Sequence, residues 1–272
     1  MIKYTQNLHT HGTMCDGKND YEDTVRVAIE KGFTSIGFSS LSDMPYSPGK
    51  NLNVHMIPQY QALIGSLKEK YKGIIDIYCG IEFDMFSLDP LIGYDYVLGA
   101  VHYLETDAGY VGFDRKAETV KKVIDEHFGG DGMKYAKKYY ETVVRLPEYG
   151  KIDAVAHFDL ICKHRERENF FDTESKQYRS WAIEAMEHLN NTIGVFEVNT
   201  GAIARNNRTT PYPDTFLLKE MKERGAKMII SSDCHDNTLL DCYFDEALEL
   251  LRSVGFCEVY TLGDHGFVGH KI

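Results

Sequence analysis

Five short apolar runs in this chain each close on a histidine or an acid: at His9 and His11, at Glu82, at His102, at His157, and at Asp233 and His235. These side chains are scattered along the sequence, so they can meet only in a fold that gathers strand ends at one place. Between the runs lie amphipathic stretches of helical period. Strands are expected near Tyr4–Leu8, Ser35–Phe38, Ile74–Gly80, Tyr94–Val101, Ala154–Ala156, Gly194–Val198, Lys227–Ser231 and Glu258–Tyr260. Helices are expected near Tyr21–Lys31, Ile57–Tyr71, Arg115–Phe128, Met133–Glu148, Thr173–Asn190, Pro213–Arg224 and Leu239–Val254. Gly32, Gly73, Gly225 and Gly255 stand where C-terminal caps would lead from helix into strand. This alternation argues for parallel strands with helices packed outside. Seven or eight such units over 272 residues match the size of a (β/α) barrel. The rival, an open doubly wound sheet, usually carries a glycine-rich phosphate loop; no such pattern follows the first strand.

In a barrel the C-terminal strand ends open on one face, where active sites of that fold lie. His9 and His11 are two residues apart on an extended segment, so both imidazoles face one side. Asp233 and His235 repeat that geometry, and Asp16 lies within loop reach of His11. Mixed histidine and carboxylate donors suit Zn, Mn or Fe better than Mg or Ca. A carboxylate such as Glu82 can bridge two ions. A lone histidine at a strand end is an ordinary structural residue, but five strand ends all carrying ligand-type groups are hard to obtain by accident.

Composition removes other classes. A formal net charge of −11 does not attract long nucleic acid by bulk field. No apolar run is long enough to span a bilayer, and the first residues hold no signal-peptide core. The six cysteines form no Cys-x-x-Cys pair, which fits a reduced, cytoplasmic protein. Cys15 and Cys234 alternate with candidate ligands and are expected to point away from them. Most of the six are expected to be buried as small hydrophobes.

His-Thr-His at 9–11, Gly-Ile-Glu-Phe-Asp at 80–84, Gly-Ala-Val-His-Tyr at 99–103, Ala-His-Phe-Asp-Leu-Ile at 156–161, Glu-Val-Asn-Thr-Gly at 197–201 and Ser-Ser-Asp-Cys-His at 231–235 form an ordered set. It resembles the motifs of the PHP (polymerase and histidinol phosphatase) superfamily, and its spacing resembles the histidinol-phosphatase branch. The resemblance covers most of the chain. It implies one α/β domain over residues 1–272, a distorted (β/α)7 TIM-like barrel that hydrolyses phosphate monoesters with a hydroxide on its ions. It further implies L-histidinol phosphate as substrate, a step of histidine biosynthesis. The alternatives are another small phosphate ester such as a nucleotide, or a non-catalytic metal-binding relative.

By position, the resemblance gives His9, His11, Glu82 and Asp233 to one divalent ion, and Glu82, His102 and His157 to a second. It gives Asp16 and His235 to a third. Where the family usually places a histidine after the second strand, this chain has Leu41, so the third site loses a ligand. Asp43 or His55 could substitute, although Asp43 in Ser42–Pro45 reads as an ordinary turn residue. Asp233 and His235 are the candidate acid–base groups.

For phosphate, Lys163 and Arg165 follow the His157 strand, and Arg205 lies in a segment resembling the family's phosphate-binding loop. Asn199 could orient a ligand or cap a loop. Arg167 and Arg208 read equally as solvated charges. Tyr103, Glu105 and Asp84 are candidate partners for a substrate amine. The expected partner is a small phosphorylated molecule, with no long nucleic acid and no membrane; oligomeric state is left open.

Overall fold

The computed structural model describes residues 3–44 and 51–272; Pro45 of the expected turn lies outside them. The chain begins with β1 (Gln6–Asn7), α1 (Tyr21–Glu30), β2 (Ser35–Leu41), α2 (Ile57–Lys70), β3 (Asp76–Asp84) and β4 (Tyr96–Ala100). A hairpin of β5 (Tyr103–Thr106) and β6 (Gly109–Gly112) follows, then α3 (Ala117–His127), α4 (Gly132–Val143) and β7 (Ala154–Val155). The rest is α5 (Lys176–Thr192), β8 (Val195–Asn199), the short α6 (Gly201–Ala204), α7 (Thr215–Glu223), β9 (Lys227–Ser231) and α8 (Phe244–Val254). A second hairpin, β10 (Glu258–Gly263) and β11 (Gly266–Lys271), ends the chain.

The helices form where the sequence supplies one apolar stripe and usable ends. In α8, Phe244, Ala247, Leu248 and Leu251 are buried at helical spacing; Asp245 and Glu246 stand in the first turn and Arg252 in the last, matching the helix dipole. Asp131 caps α4 by accepting from the backbone N–H groups of Met133 and Lys134. The four glycines expected to end helices all have positive φ, between 69° and 100°. Among the described residues, no helix is long and apolar enough to cross a membrane.

Strands β1, β2, β3, β4, β7, β8 and β9 lie side by side in that order, every pair parallel. The sheet curls until its edges meet. Thr10 bridges Cys234 in parallel, with His11 N donating to Cys234 O at 2.9 Å and Cys234 N donating to His9 O at 2.9 Å. That closure excludes the open sheet and makes the fold a seven-stranded, distorted (β/α) barrel. The strand expected at Glu258–Tyr260 does not extend the barrel. It pairs antiparallel with β11, and Leu262 covers the N-terminal end of the barrel, its backbone exchanging hydrogen bonds with the Gln6 amide at 2.7 and 2.9 Å.

Inward-pointing residues fill the barrel: Leu8, Tyr96, Leu98, Ala154, Val195 and Ile229 form one buried cluster with Leu262. Tyr96 fits because its neighbours on β2 and β3 are Gly37 and Gly80. A Cβ at Gly80 would lie 2.2 Å from Tyr96 Cζ. The ring cannot swing aside, since its hydroxyl donates to Leu8 O at 2.5 Å. Gly80→Ala is therefore expected to destabilise the fold by about 1–3 kcal/mol through overpacking. Gly65→Ala on α2, where an added Cβ meets nothing within 4 Å, should instead stabilise by about 0.5–1 kcal/mol. Denaturant midpoints of the two variants check the pair; equal shifts of the same sign would contradict it.

Candidate metal centre

The closing seam builds the first half of the centre. Thr10 and Cys234 pair with each other, so the residues flanking them project the other way, across the barrel mouth. His9 and His11 thus meet Asp233 and His235. His9 Nε2 and His11 Nε2 lie 3.7 and 3.4 Å from Asp233 Oδ1, and the His11 and His235 rings stack with centroids 4.1 Å apart. Asp16 Oδ1 is 3.4 Å from His11 Nδ1 and Asp16 Oδ2 is 3.1 Å from His235 Nε2.

Strand β3 supplies the centrepiece. It runs past Gly80 to Asp84, which places Glu82 within the strand and aims it inward. Its Oε1 lies 2.9 Å from His157 Nε2 and 3.3 Å from His102 Nε2. Its Oε2 lies 3.3 Å from His9 Nε2 and 3.6 Å from His11 Nε2. His157 and Asp233 turn sharply out of their strands at φ 23° and 48°. Left-handed backbone at non-glycine residues costs on the order of 1–3 kcal/mol each and collects at functional sites.

Buried charge dominates here. Burial penalises the ionised form of Glu82, yet the charges of His9 and His102 and hydrogen bonds from His102 and His157 hold its carboxyl well below the ordinary range. Burial likewise opposes ionisation of Asp233, and the charges of Arg205 and His9, with His11 Nε2 3.4 Å away, outweigh it. Burial disfavours the His9 cation, but Glu197, Glu82 and Asp233 raise it to about 10. Anions held in a dry site in this way require positive charge beside them.

The donors fit a divalent ion. His9 Nε2 and His11 Nε2 are buried without a hydrogen-bond partner, and both face Glu82. Donor atoms of His9, Glu82 and His157 lie within 4.8 Å of one another, as do those of His9, His11 and Asp233, and those of His11, Cys15 and Asp16. All eight sequence-chosen donors, His9, His11, Asp16, Glu82, His102, His157, Asp233 and His235, therefore stand in one cluster of linked contacts.

Cys15 departs from expectation. It does not point away: its Sγ is 3.5 Å from His11 Nδ1. The alternation rule fails because the chain leaves extended geometry after His11, with Cys15 N and Gly17 N both bonded to Gly12 O. Burial opposes ionisation of the Cys15 thiol, but the hydrogen bond and charge of His11 bring it down to about 7. Of the other five cysteines, Cys79, Cys162 and Cys234 are buried, Cys242 is partly buried and Cys257 is exposed. Strand β2 runs three residues beyond its expected end, so Leu41 pairs in register with Glu82 and lines the mouth. Asp43 gives its backbone N–H to Asp89, and His55 is exposed on a single turn; neither lines the mouth.

A cavity of about 510 Å³ opens over the cluster. Lys18, Arg115, Lys163 and Arg205 line it among the described residues, with Asp114 and Tyr103. Arg205 grips Asp233 through Oδ2 at 2.7 Å and through its carbonyl at 3.0 Å. Lys163 pairs with Asp114 at 2.5 Å. Arg165 stands outside the lining and pairs with Asp214. Asn199 is buried below the mouth, where it donates to Glu197 and caps Gly201 N. Arg208, read equally as a phosphate ligand or a solvated charge, is neither exposed nor in the cavity lining: it is buried, with its guanidinium over the Tyr212 ring at 4.6 Å and Asp159 at 3.8 Å. A larger depression, about 610 Å³, lies at the opposite end of the barrel beside Asp76 and Leu262, away from the donor cluster.

Sequence reasoning passed over Glu197, Asp114 and Arg115, and read Asp84 only as a candidate partner for a substrate amine. Asp84 accepts from His102 N at 2.8 Å and Nδ1 at 3.0 Å, and Glu197 contacts His9 Nδ1 at 2.7 Å. Both sit two residues from a residue already singled out, so strand alternation carried the signal. Asp114 and Arg115 follow the β5–β6 hairpin, which left no apolar run to read.

Residues 7–201 match the family described as the PHP domain. A probable histidinol-phosphatase of Deinococcus radiodurans is 25% identical over 258 residues, covering 91% of this chain and 92% of its own. The histidinol-phosphatase of Bacillus subtilis is 25% identical over 84% of this chain and 92% of its own. Among solved structures, histidinol phosphate phosphatase from Lactococcus lactis subsp. lactis Il1403, complexed with Zn, L-histidinol and phosphate, superposes with a TM-score of 0.71 at 17% identity, covering 97% of this chain and 98% of that one. With the family matched over more than half of its length, on a barrel whose strand ends converge as described, this chain belongs to the PHP domain family.

Proposed function

We propose that this chain hydrolyses L-histidinol phosphate to L-histidinol and phosphate with the help of divalent metal ions. The observation that carries the reading is the Glu82 carboxylate, whose two oxygens face two different pairs of histidines. His9, His11, Asp233 and Glu82 would hold one ion, and Glu82, His102 and His157 a second, of Zn, Mn or Fe. Asp16 and His235 form a third position, weakened because Leu41 brings no donor to it. Bound ions of this kind polarise phosphoryl oxygens and acidify water.

The chain's own groups do the rest. Lys163 and Arg205 line the cavity as cations for phosphate oxygens. Asp233, held ionised, accepts protons or binds an ion rather than donating. His235, at the rim and 3.4 Å from Asp233 Oδ1, is placed to pass a proton to the leaving alkoxide. Of the candidate amine partners, Asp84 is committed to His102 and Glu105 lies outside the lining, whereas Tyr103 lines it. The choice of L-histidinol phosphate is supported by relatives named for that activity that match over most of their length.

Phosphate release should show a higher kcat/KM on L-histidinol phosphate than on AMP or an aryl phosphate; a preference for AMP would overturn the substrate. Chelation should abolish turnover, and added Mn or Zn should restore it. His9→Ala should lower kcat by more than about a hundredfold, beyond the usual effect of losing an outer-shell partner; intact turnover would refute the metal reading. Leu41→His should raise the metal content of the purified protein, measured by elemental analysis. No gain would show that Leu41 is not what weakens the third position.

A further inference from the structure

We infer that Glu197 is a shared positioning residue that couples the two ion positions, an inference that rests on the two-ion reading above. It lies on β8, two residues past Val195 in the barrel interior, and is completely buried. It does not line the cavity of about 510 Å³ over the cluster, so it does not meet substrate there. Every acceptor position it has is taken. Oε1 accepts from His9 Nδ1 at 2.7 Å and from the Ser231 hydroxyl. Oε2 accepts from His157 N at 2.8 Å and from Asn199 Nδ2 at 2.9 Å.

These contacts reach both halves of the centre by different routes. A carboxylate on Nδ1 fixes the proton there and turns Nε2 of His9, as the lone-pair nitrogen, toward Glu82. His157 is held otherwise. Its Nδ1 has no hydrogen-bond partner, so the ring is held from behind by packing alone, against Tyr212 among others. What fixes its place is the backbone amide, anchored to Glu197 at the left-handed φ of 23°. Removing that anchor frees a strained residue to relax toward ordinary backbone, and the ring moves with it. His102, by contrast, is held at both its backbone N and its Nδ1 by Asp84. The geometry therefore separates a carboxylate serving both positions from one serving a single position.

Glutamine cannot replace Glu197. An amide has one acceptor oxygen, so in either orientation its NH₂ faces two donors. The test is titration of metal-stripped protein with Mn²⁺ alone, following affinity and stoichiometry for the parent chain, Glu197→Gln, Asp84→Asn and His9→Ala, with the melting temperature of each metal-free protein measured beside it. Glu197→Gln should weaken both equivalents by roughly 10–100-fold, and Asp84→Asn only one. If metal-free Glu197→Gln does not fold, Glu197→Asp decides. It keeps the charge but is one methylene too short to reach both histidines, and it should also weaken both. Weakening of one equivalent or none in the deciding variant, or a lower melting temperature with unchanged affinity, would overturn the coupling while leaving the two-ion reading intact. Full binding of both ions by His9→Ala would instead overturn that reading, and the coupling with it.

Discussion

The seam between Thr10 and Cys234 is the contact on which the rest depends. Without it the first and last strands of the parallel sheet would be open edges, and His9 and His11 would lie far from Asp233 and His235. Closing the sheet at that point pairs the residues between the ligands and leaves the ligands to face one another. The barrel is narrow enough to close because glycines on two strands make room for the Tyr96 ring, and Leu262 seals the opposite end. Fold and site are thus one construction: the interior is apolar below and becomes a charged cluster only where the strands end.

Electrostatics then determines what this cluster can be. Carboxylates buried this deeply are costly unless cations sit beside them. The imidazoles supply part of that compensation, and Arg205 supplies more from the rim. His9 Nε2 and His11 Nε2 nevertheless make no hydrogen bond, and both face one Glu82 oxygen, at 3.3 and 3.6 Å. A purely structural network would draw such atoms to hydrogen-bond distance. A site for a cation keeps them apart, with Glu197 behind the His9 ring at Nδ1 and Asp84 behind the His102 ring at Nδ1.

Much of this was legible in the sequence because strand alternation is a strict code. Two residues apart means the same face, so His9 with His11, and Asp233 with His235, could be placed by counting. The β/α alternation gave the barrel, and the absence of a phosphate loop spoke against the open sheet. The code failed where its premise failed. Cys15 lies in a turn, so parity says nothing of its direction. Arg165 follows the His157 strand on a loop whose path no local pattern sets, and it turns to Asp214. The C-terminal strand looked like one more repeat, yet a pairing partner beyond Gly263 made it a hairpin. Asp114 and Arg115 reach the cavity just after a short hairpin whose apolar residues come in pairs, Tyr103–Leu104 and Tyr110–Val111, too short to read as a buried run.

The most direct measurement is a crystal structure grown with Mn²⁺ and phased on its anomalous scattering. A two-ion centre predicts two peaks, one on each side of the Glu82 carboxylate and about 3.5–4 Å apart. One would lie against His9, His11 and Asp233, and the other against His102 and His157. A single peak, or peaks bound elsewhere with Glu82 contacting neither, would contradict it.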